Sequence, residues 1–238
     1  MDTFVRGQMA IDDKLNSAIE ELQSGEIEVL GRLVDASNAS LFCRIGTVNA
    51  IYKPIAGERP LWDFPDGHLA WREVAAYRVS NALGLDCVPP TILRDGPFGE
   101  GSLQLWIDDC EEVGERYLEQ SNGLRKIALL DAIINNTDRK IGHLLYKDES
   151  IYGCDHGVTF QQDFKLRTVL WQFADLPINS HERSALNQLL ESEVFSEISG
   201  LLTESEIEAL KSRIKDLLQQ ERFPLPPTDW PAIPWPPF

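Results

Sequence analysis

Two acidic residues, each at the end of a short loop, carry the most chemical content in this chain. Asp138 follows Asn135-Asn136-Thr137 directly after an apolar run, and Asp155 opens Asp155-His156-Gly157-Val158-Thr159-Phe160 after a strand-like run. Phosphoryl transfer from a nucleotide needs such a pair. One carboxylate accepts or orients the proton of the attacking hydroxyl, and the other holds the divalent ion on the phosphates. Lys53, late in the strand-like Ala50-Ile51-Tyr52-Lys53-Pro54, offers a point charge for those phosphates. Glu73, early in the helical run that follows, is placed to pair with Lys53; Glu58 and Arg72 are rivals for that role.

Each of these residues also has a plainer reading. Lys53 taken alone is a solvated strand lysine. Asp138 taken alone is part of an Asn/Asp turn at a helix exit, and Asp155 opens an ordinary Asp-x-Gly turn. Arg139 beside Asp138 is expected to keep that carboxylate ionised and in place. His143 falls where a second metal-binding side chain is expected; imidazole is a soft partner for Mg²⁺, so a structural, hydrogen-bonding histidine remains an equal reading. The polar turn 35–40 lacks a glycine run, yet its N–H groups with Ser37, Asn38 and Ser40 can cradle phosphates.

The elements that must position these residues are legible in the hydrophobic pattern. A helix is expected over about 12–23, strands over 25–34, 41–45 and 48–54, and a helix over 69–83 stopped by Gly84. Strands are expected over 88–93 and 102–107, separated by the turn Arg94-Asp95-Gly96-Pro97. The acidic stretch 108–115 reads as a connection. Beyond it the pattern gives a buried helix over 124–135, a short hairpin across Lys147-Asp148-Glu149, and helices over 185–198 and 204–220. The last opens on the capping sequence Thr203-Glu204-Ser205-Glu206. The proline-rich tail 223–238 suits neither helix nor sheet, and is expected to lie extended along the larger lobe with Trp230 and Trp235 buried. The expected fold class is α+β, with an antiparallel N-lobe sheet and one helix over 1–107, a helical C-lobe over 108–222, and the tail packed on it.

Composition narrows the partners. The chain has 238 residues, 43% hydrophobic and 25% charged, with a formal net charge of -16. Bulk charge of that sign disfavours nucleic acid and anionic membrane surfaces. Cys43, Cys87, Cys110 and Cys154 lack metal-site spacing. With no signal-like N-terminus and no membrane-length apolar run, a cytoplasmic protein without a membrane anchor is expected.

Taken together, Tyr52-Lys53-Pro54, Arg72-Glu73-Val74-Ala75-Ala76-Tyr77, Asn136-Thr137-Asp138-Arg139 and Asp155-His156-Gly157-Val158-Thr159-Phe160 resemble the phosphatidylinositol 3-/4-kinase-like branch of the kinase superfamily, which includes HipA-type kinases. The whole chain is similar to a bacterial family of such phosphatidylinositol-kinase-like proteins. The turn Asp95-Gly96-Pro97 before Leu103-Gln104-Leu105-Trp106, and the tail Trp230-Pro231-Ala232-Ile233-Pro234-Trp235-Pro236-Pro237, fit that family. The resemblance implies a two-lobed kinase fold using ATP and Mg²⁺. Lys53 would serve the phosphates, Glu73 the lysine, Asp138 catalysis and Asp155 the metal, with Trp106 and Ile107 beside the adenine. His143 stands where that family has an asparagine-type ligand. A protein or small-molecule acceptor is favoured over a lipid. A catalytically inactive nucleotide-binding scaffold and transfer of AMP are the alternatives.

Overall fold

The computed structural model describes residues 14–33 and 38–238. Ser37 and the rest of 34–37, like the expected start of the first helix at residue 12, lie outside the described residues. The chain divides into two compact units: the chain up to Arg59 together with Pro90–Asp108, and Pro60–Pro89 together with Asp109–Phe238.

The first unit is a five-stranded antiparallel sheet in the order β1-β2-β3-β5-β4, with a helix over residues 14–24 (α1). Its strands are β1 (Ile27–Arg32), β2 (Leu41–Ile45), β3 (Val48–Pro54), β4 (Thr91–Gly96) and β5 (Gly99–Leu105). Alternation along β2 and β3 sends Cys43, Ile45, Ala50 and Tyr52 into one apolar cluster with Leu22, Ile27 and Leu103. β4 starts three residues later than the pattern predicts. Pro89 and Pro90 supply no N–H for a ladder, so pairing begins only at Thr91. The β4–β5 turn likewise shifts to Pro97-Phe98, where Gly96 pairs with Gly99 and Gly99 takes a φ of 91°.

The second unit is mainly helical. It holds α2 (Leu69–Ala82), α3 (Asn122–Ile134), α4 (Ser180–Glu191), α5 (Val194–Glu197) and α6 (Glu204–Gln220). It also holds a small antiparallel sheet, β6 (Glu111–Glu112), β7 (Leu144–Lys147) and β8 (Ser150–Gly153). Part of the acidic stretch expected as a bare connection therefore pairs as β6 against β7. Asp148 and Glu149 both take positive φ, the backbone a two-residue hairpin turn requires.

Charged groups tie the helices of this unit together. Arg72 of α2 is buried, forms an ion pair with Glu206 of α6 at 2.5 Å, and donates to the carbonyls of Thr159 and Asp66. That places it as a structural residue and removes it as a rival to Glu73.

The helix predicted over 185–198 is two helices. Asn179 and Glu182 form a reciprocal cap that starts α4 at Ser180, and the helix ends at Glu191. The tail meets the rest of this unit through main-chain groups. Thr168 N–H and the Trp171 indole donate to Ala232 O, and Ile141 N–H donates to Pro237 O at 2.8 Å. Trp230 is half-buried and stacks with Phe164, but Trp235 is 84% exposed, contrary to its expected burial. A tail held by backbone hydrogen bonds needs no second buried ring. Among the described residues no helix is long and apolar enough to cross a membrane.

Candidate functional site

In the second unit, the loop after α3 is built around one buried ion pair. Ser121 caps the start of α3 by accepting Leu124 N–H, and the helix ends at Asn135, whose φ of 54° lies in the left-handed region. Asp131, fully buried on the last turns of α3, receives Arg139 through Nε at 2.9 Å and Nη2 at 3.0 Å. The same guanidinium donates to Cys154 O at 2.7 Å and sits 2.7 Å from His156 Nε2. Burial alone would lower the pKa of Arg139; the facing Asp131 carboxylate raises it instead, so the guanidinium stays charged. Arg139 thus joins the 135–143 loop to the 153–156 turn. It is not the partner of Asp138 that the sequence predicts, because every polar edge of its side chain is committed elsewhere.

Lys140 takes that place. Its Nζ lies 3.4 Å from Asp138 Oδ2, and Asn136 Oδ1 accepts the Asp138 N–H at 3.0 Å. Asn136 itself donates to Asp131, so one carboxylate anchors both neighbours of the Thr137-Asp138 step. Asp138 is half-buried and its pKa is raised. Desolvation is the main cause and the Asp155 charge adds to it, while Lys140 and Arg167 pull the other way.

Asp155 is exposed and also left-handed, with a φ of 58°. His143 Nε2 is 3.4 Å from Asp155 Oδ2. The second unit therefore gathers Asp138, His143 and Asp155, from two loops whose spacing the Arg139 guanidinium sets. Glu73 is buried, and its Oε2 accepts the N–H of His156 at 2.9 Å, which fixes the turn that presents Asp155. A Cβ on Gly157 would come within 3.3 Å of Leu69 Cβ, so the turn fits closely against α2.

A further residue, unmarked in the sequence reading, holds the segment after Asp155. The buried Asn135 amide donates to Gln161 O at 2.8 Å and Asp163 O at 2.7 Å, and its Oδ1 accepts Lys165 N–H at 2.9 Å. Arg167 N–H then donates to Asn136 O, and Arg139 N–H donates to Arg167 O. The segment is laced to the Asp138 loop over its whole length. The signal for this clamp was the pair Asn135-Asn136 itself, since asparagine is one of the few residues that tolerates a left-handed backbone while offering both a donor and an acceptor.

The first unit holds the remaining predicted residues. Lys53 is half-buried near the end of β3, paired in register with Ser102 of β5. β5 crosses it closely: a Cβ on Gly101 would lie 2.5 Å from Lys53 O. Asn38 Oδ1 accepts the N–H of Arg59, and Ala39 N–H donates to Gly57 O, so Asn38 and Ala39 are strapped to the chain after β3. Ser40 is buried and its carbonyl accepts Leu33 N–H. Trp106 and Ile107 are half-buried just past β5; Trp106 N–H donates to Asn49 O and its ring meets Phe42 edge-on at 5.2 Å.

Among the described residues no three His, Cys, Asp or Glu side chains form a metal cage by themselves. An ion at Asp155 would take further oxygens from phosphate and water, the usual way Mg²⁺ is held. The Asp155 charge, which helps raise the pKa of Asp138, fits a cation beside it.

No family model matches the chain. It is 38% identical to Protein Rv2133c of Mycobacterium tuberculosis, across 91% of this chain and 94% of that protein. It is 27% identical to phosphatidylinositol 4-kinase gamma 4 of Oryza sativa subsp. japonica across 69% of this chain, which spans 36% of that longer protein. Among solved structures, the Golgi casein kinase with Mn/ADP bound superposes with a TM-score of 0.60 at 14% identity, covering 88% of this chain and 75% of that one. Hydra Fam20 with sugar gives a TM-score of 0.56 at 13% identity, covering 88% and 89%. The chain has a two-lobed α+β kinase-like fold, and by sequence it belongs to the family of Protein Rv2133c.

Proposed function

We propose that this protein is an ATP- and Mg²⁺-dependent phosphotransferase acting on a hydroxyl of a protein or small molecule. The observation that carries the reading is the joining of Asp138 and Asp155 through one buried guanidinium. Arg139 is bound to Asp131 on one side and to Cys154 O and His156 on the other, so the loop carrying Asp138 and the turn carrying Asp155 move as one piece. The binding of Mn/ADP by the Golgi casein kinase is in keeping with this.

In this reading Asp138 accepts the proton of the acceptor hydroxyl as its oxygen bonds to the terminal phosphorus and the bond to the β-phosphate oxygen breaks, releasing ADP. Its raised pKa, caused first by burial, makes it the stronger proton acceptor. Lys53 steadies the phosphates, Glu73 fixes the turn of Asp155, Trp106 and Ile107 flank the base, and the side chains of Ser37, Asn38 and Ser40 are assigned to the phosphates. Asp155, with His143 beside it, would hold a divalent ion, which would supply charge neutralisation on the phosphates. Purified protein should turn over ATP in the presence of Mg²⁺, and Asp138→Ala and Asp155→Ala should each abolish turnover. Undiminished rates in both variants would remove the assignment.

A second reading is nucleotide binding without transfer. His143 on Asp155 favours it, because an imidazole occupies one oxygen of the metal-binding carboxylate. Tight ATP binding by calorimetry with no phosphorylated product by mass spectrometry would select this reading.

A further inference from the structure

His156 follows Asp155 directly and is fully buried. Its N–H donates to Glu73 Oε2 at 2.9 Å, and its carbonyl accepts the Thr159 hydroxyl at 2.7 Å. On the ring, Nε2 lies 2.7 Å from Arg139 Nη2, and Nδ1, sealed from solvent, lies 3.9 Å from Glu73 Oε2. A Cβ on Gly153 would come within 3.3 Å of Arg139 Nη2 and 3.5 Å of His156 Nε2, so that glycine leaves room for guanidinium and ring to meet.

These contacts fix the proton on the ring. A guanidinium only donates, so Nε2 must accept, and the neutral ring carries its proton on Nδ1, facing the Glu73 carboxylate. Arg139 in turn donates twice to Asp131. A buried series of polar groups thus runs from Glu73 on α2, through the imidazole and the guanidinium, to Asp131 on α3. An apolar ring would fill the same volume, but it would leave a guanidinium N–H and a carboxylate facing hydrocarbon. Asp155 itself takes a φ of 58°, a backbone that persists only where its surroundings hold it.

We propose that His156 is a positioning residue for the metal site: Nε2 and Nδ1–H tie the turn to Arg139 and Glu73, and so hold the left-handed Asp155 in place for a divalent ion that the imidazole never touches. The inference rests on the phosphotransferase reading, in which Asp155 binds the ion.

The test has two arms on the full chain. Long-range ¹H–¹⁵N correlation of the metal-free protein reads the ring nitrogens. His156 should be protonated at Nδ1 and bare at Nε2; the opposite tautomer, or a doubly protonated ring, would overturn the proposal. Calorimetry then reads the binding of Mn²⁺·ADP, and of ADP alone in EDTA. His156→Phe should weaken Mn²⁺·ADP about ten-fold or more, the usual scale for a group that orients a metal ligand, and leave ADP alone unchanged. His156→Gln keeps an acceptor for Arg139 and a donor for Glu73, and should recover most of the loss. Leu189→Val, in the buried face of α4, should lower the melting temperature without moving Mn²⁺·ADP affinity. Should His156→Phe not fold, Gly153→Ala, whose Cβ presses on the guanidinium and the ring, carries the test in the same direction. Equal losses in His156→Phe, His156→Gln and Leu189→Val would reduce His156 to a core residue. Mn²⁺·ADP affinity indifferent to His156→Phe and Gly153→Ala sinks this inference and leaves the phosphotransferase. A parent that binds neither ADP nor Mn²⁺·ADP sinks the phosphotransferase reading, and this inference with it.

Discussion

Asp131 and Arg139 form a doubly hydrogen-bonded ion pair, 2.9 and 3.0 Å long, with both side chains essentially closed to solvent. Replacing Asp131 by Ala strands a guanidinium in the interior, a loss of about 3–5 kcal/mol. The expected result is a lower denaturation midpoint together with loss of any turnover. Arg139→Lys should be nearly as harmful, because an ammonium cannot span Asp131, Cys154 O and His156 at once. A denaturation curve for Arg139→Lys that overlays the parent's would contradict this.

Asn135 clamps the 161–165 segment through three backbone hydrogen bonds. Asn135→Gly keeps the left-handed backbone easy and removes only the amide. Its expected cost is about 2–3 kcal/mol, since water replaces part of what is lost. Limited proteolysis should then cut within 161–167, where the parent resists.

Asp138 carries a raised pKa, caused first by its burial. The folded state therefore binds its proton more tightly than the unfolded chain does. Stability contributed by the protonated form is complete below the ordinary carboxylate pKa and is lost as pH rises from there through the raised value. Asp138→Asn is accordingly expected to raise the melting temperature at neutral pH and flatten its fall across the mildly acidic range. Phosphotransfer should drop by about 10²-fold or more in the same variant. A melting temperature below the parent's at pH 7 would refute the assignment of strain to this carboxylate.

The tail anchors the loop from outside. Removing residues 229–238 frees the N–H groups of Ile141 and Thr168, which donate to Pro237 O and Ala232 O. Hydrogen exchange at these two amides should accelerate strongly in the truncated chain, with the α3 amides retaining their protection.

Much of the fold was legible because local rules agreed with one another. β2 and β3 match their predicted bounds, since alternation and β-branched residues point the same way. α6 does too, because Thr203 and Glu206 state its start and an apolar stripe continues it. The misplaced starts of β4 and α4 trace to signals under-read in the chain: Pro89-Pro90 in the first, and the Asn179/Glu182 cap in the second.

The site divides along the same line. Residue types and spacing by themselves singled out Asp138, His143 and Asp155, because chemistry that handles phosphate and a divalent ion draws on few side chains. Which cation attends Asp138 was decided only by the fold. Arg139 is its chain neighbour, yet the burial of Asp131 inside α3 demands a full countercharge and claims that guanidinium, leaving Lys140 beside Asp138. Sequence adjacency cannot carry that information: desolvation sets the strength of an ion pair, and desolvation exists only once distant segments have packed.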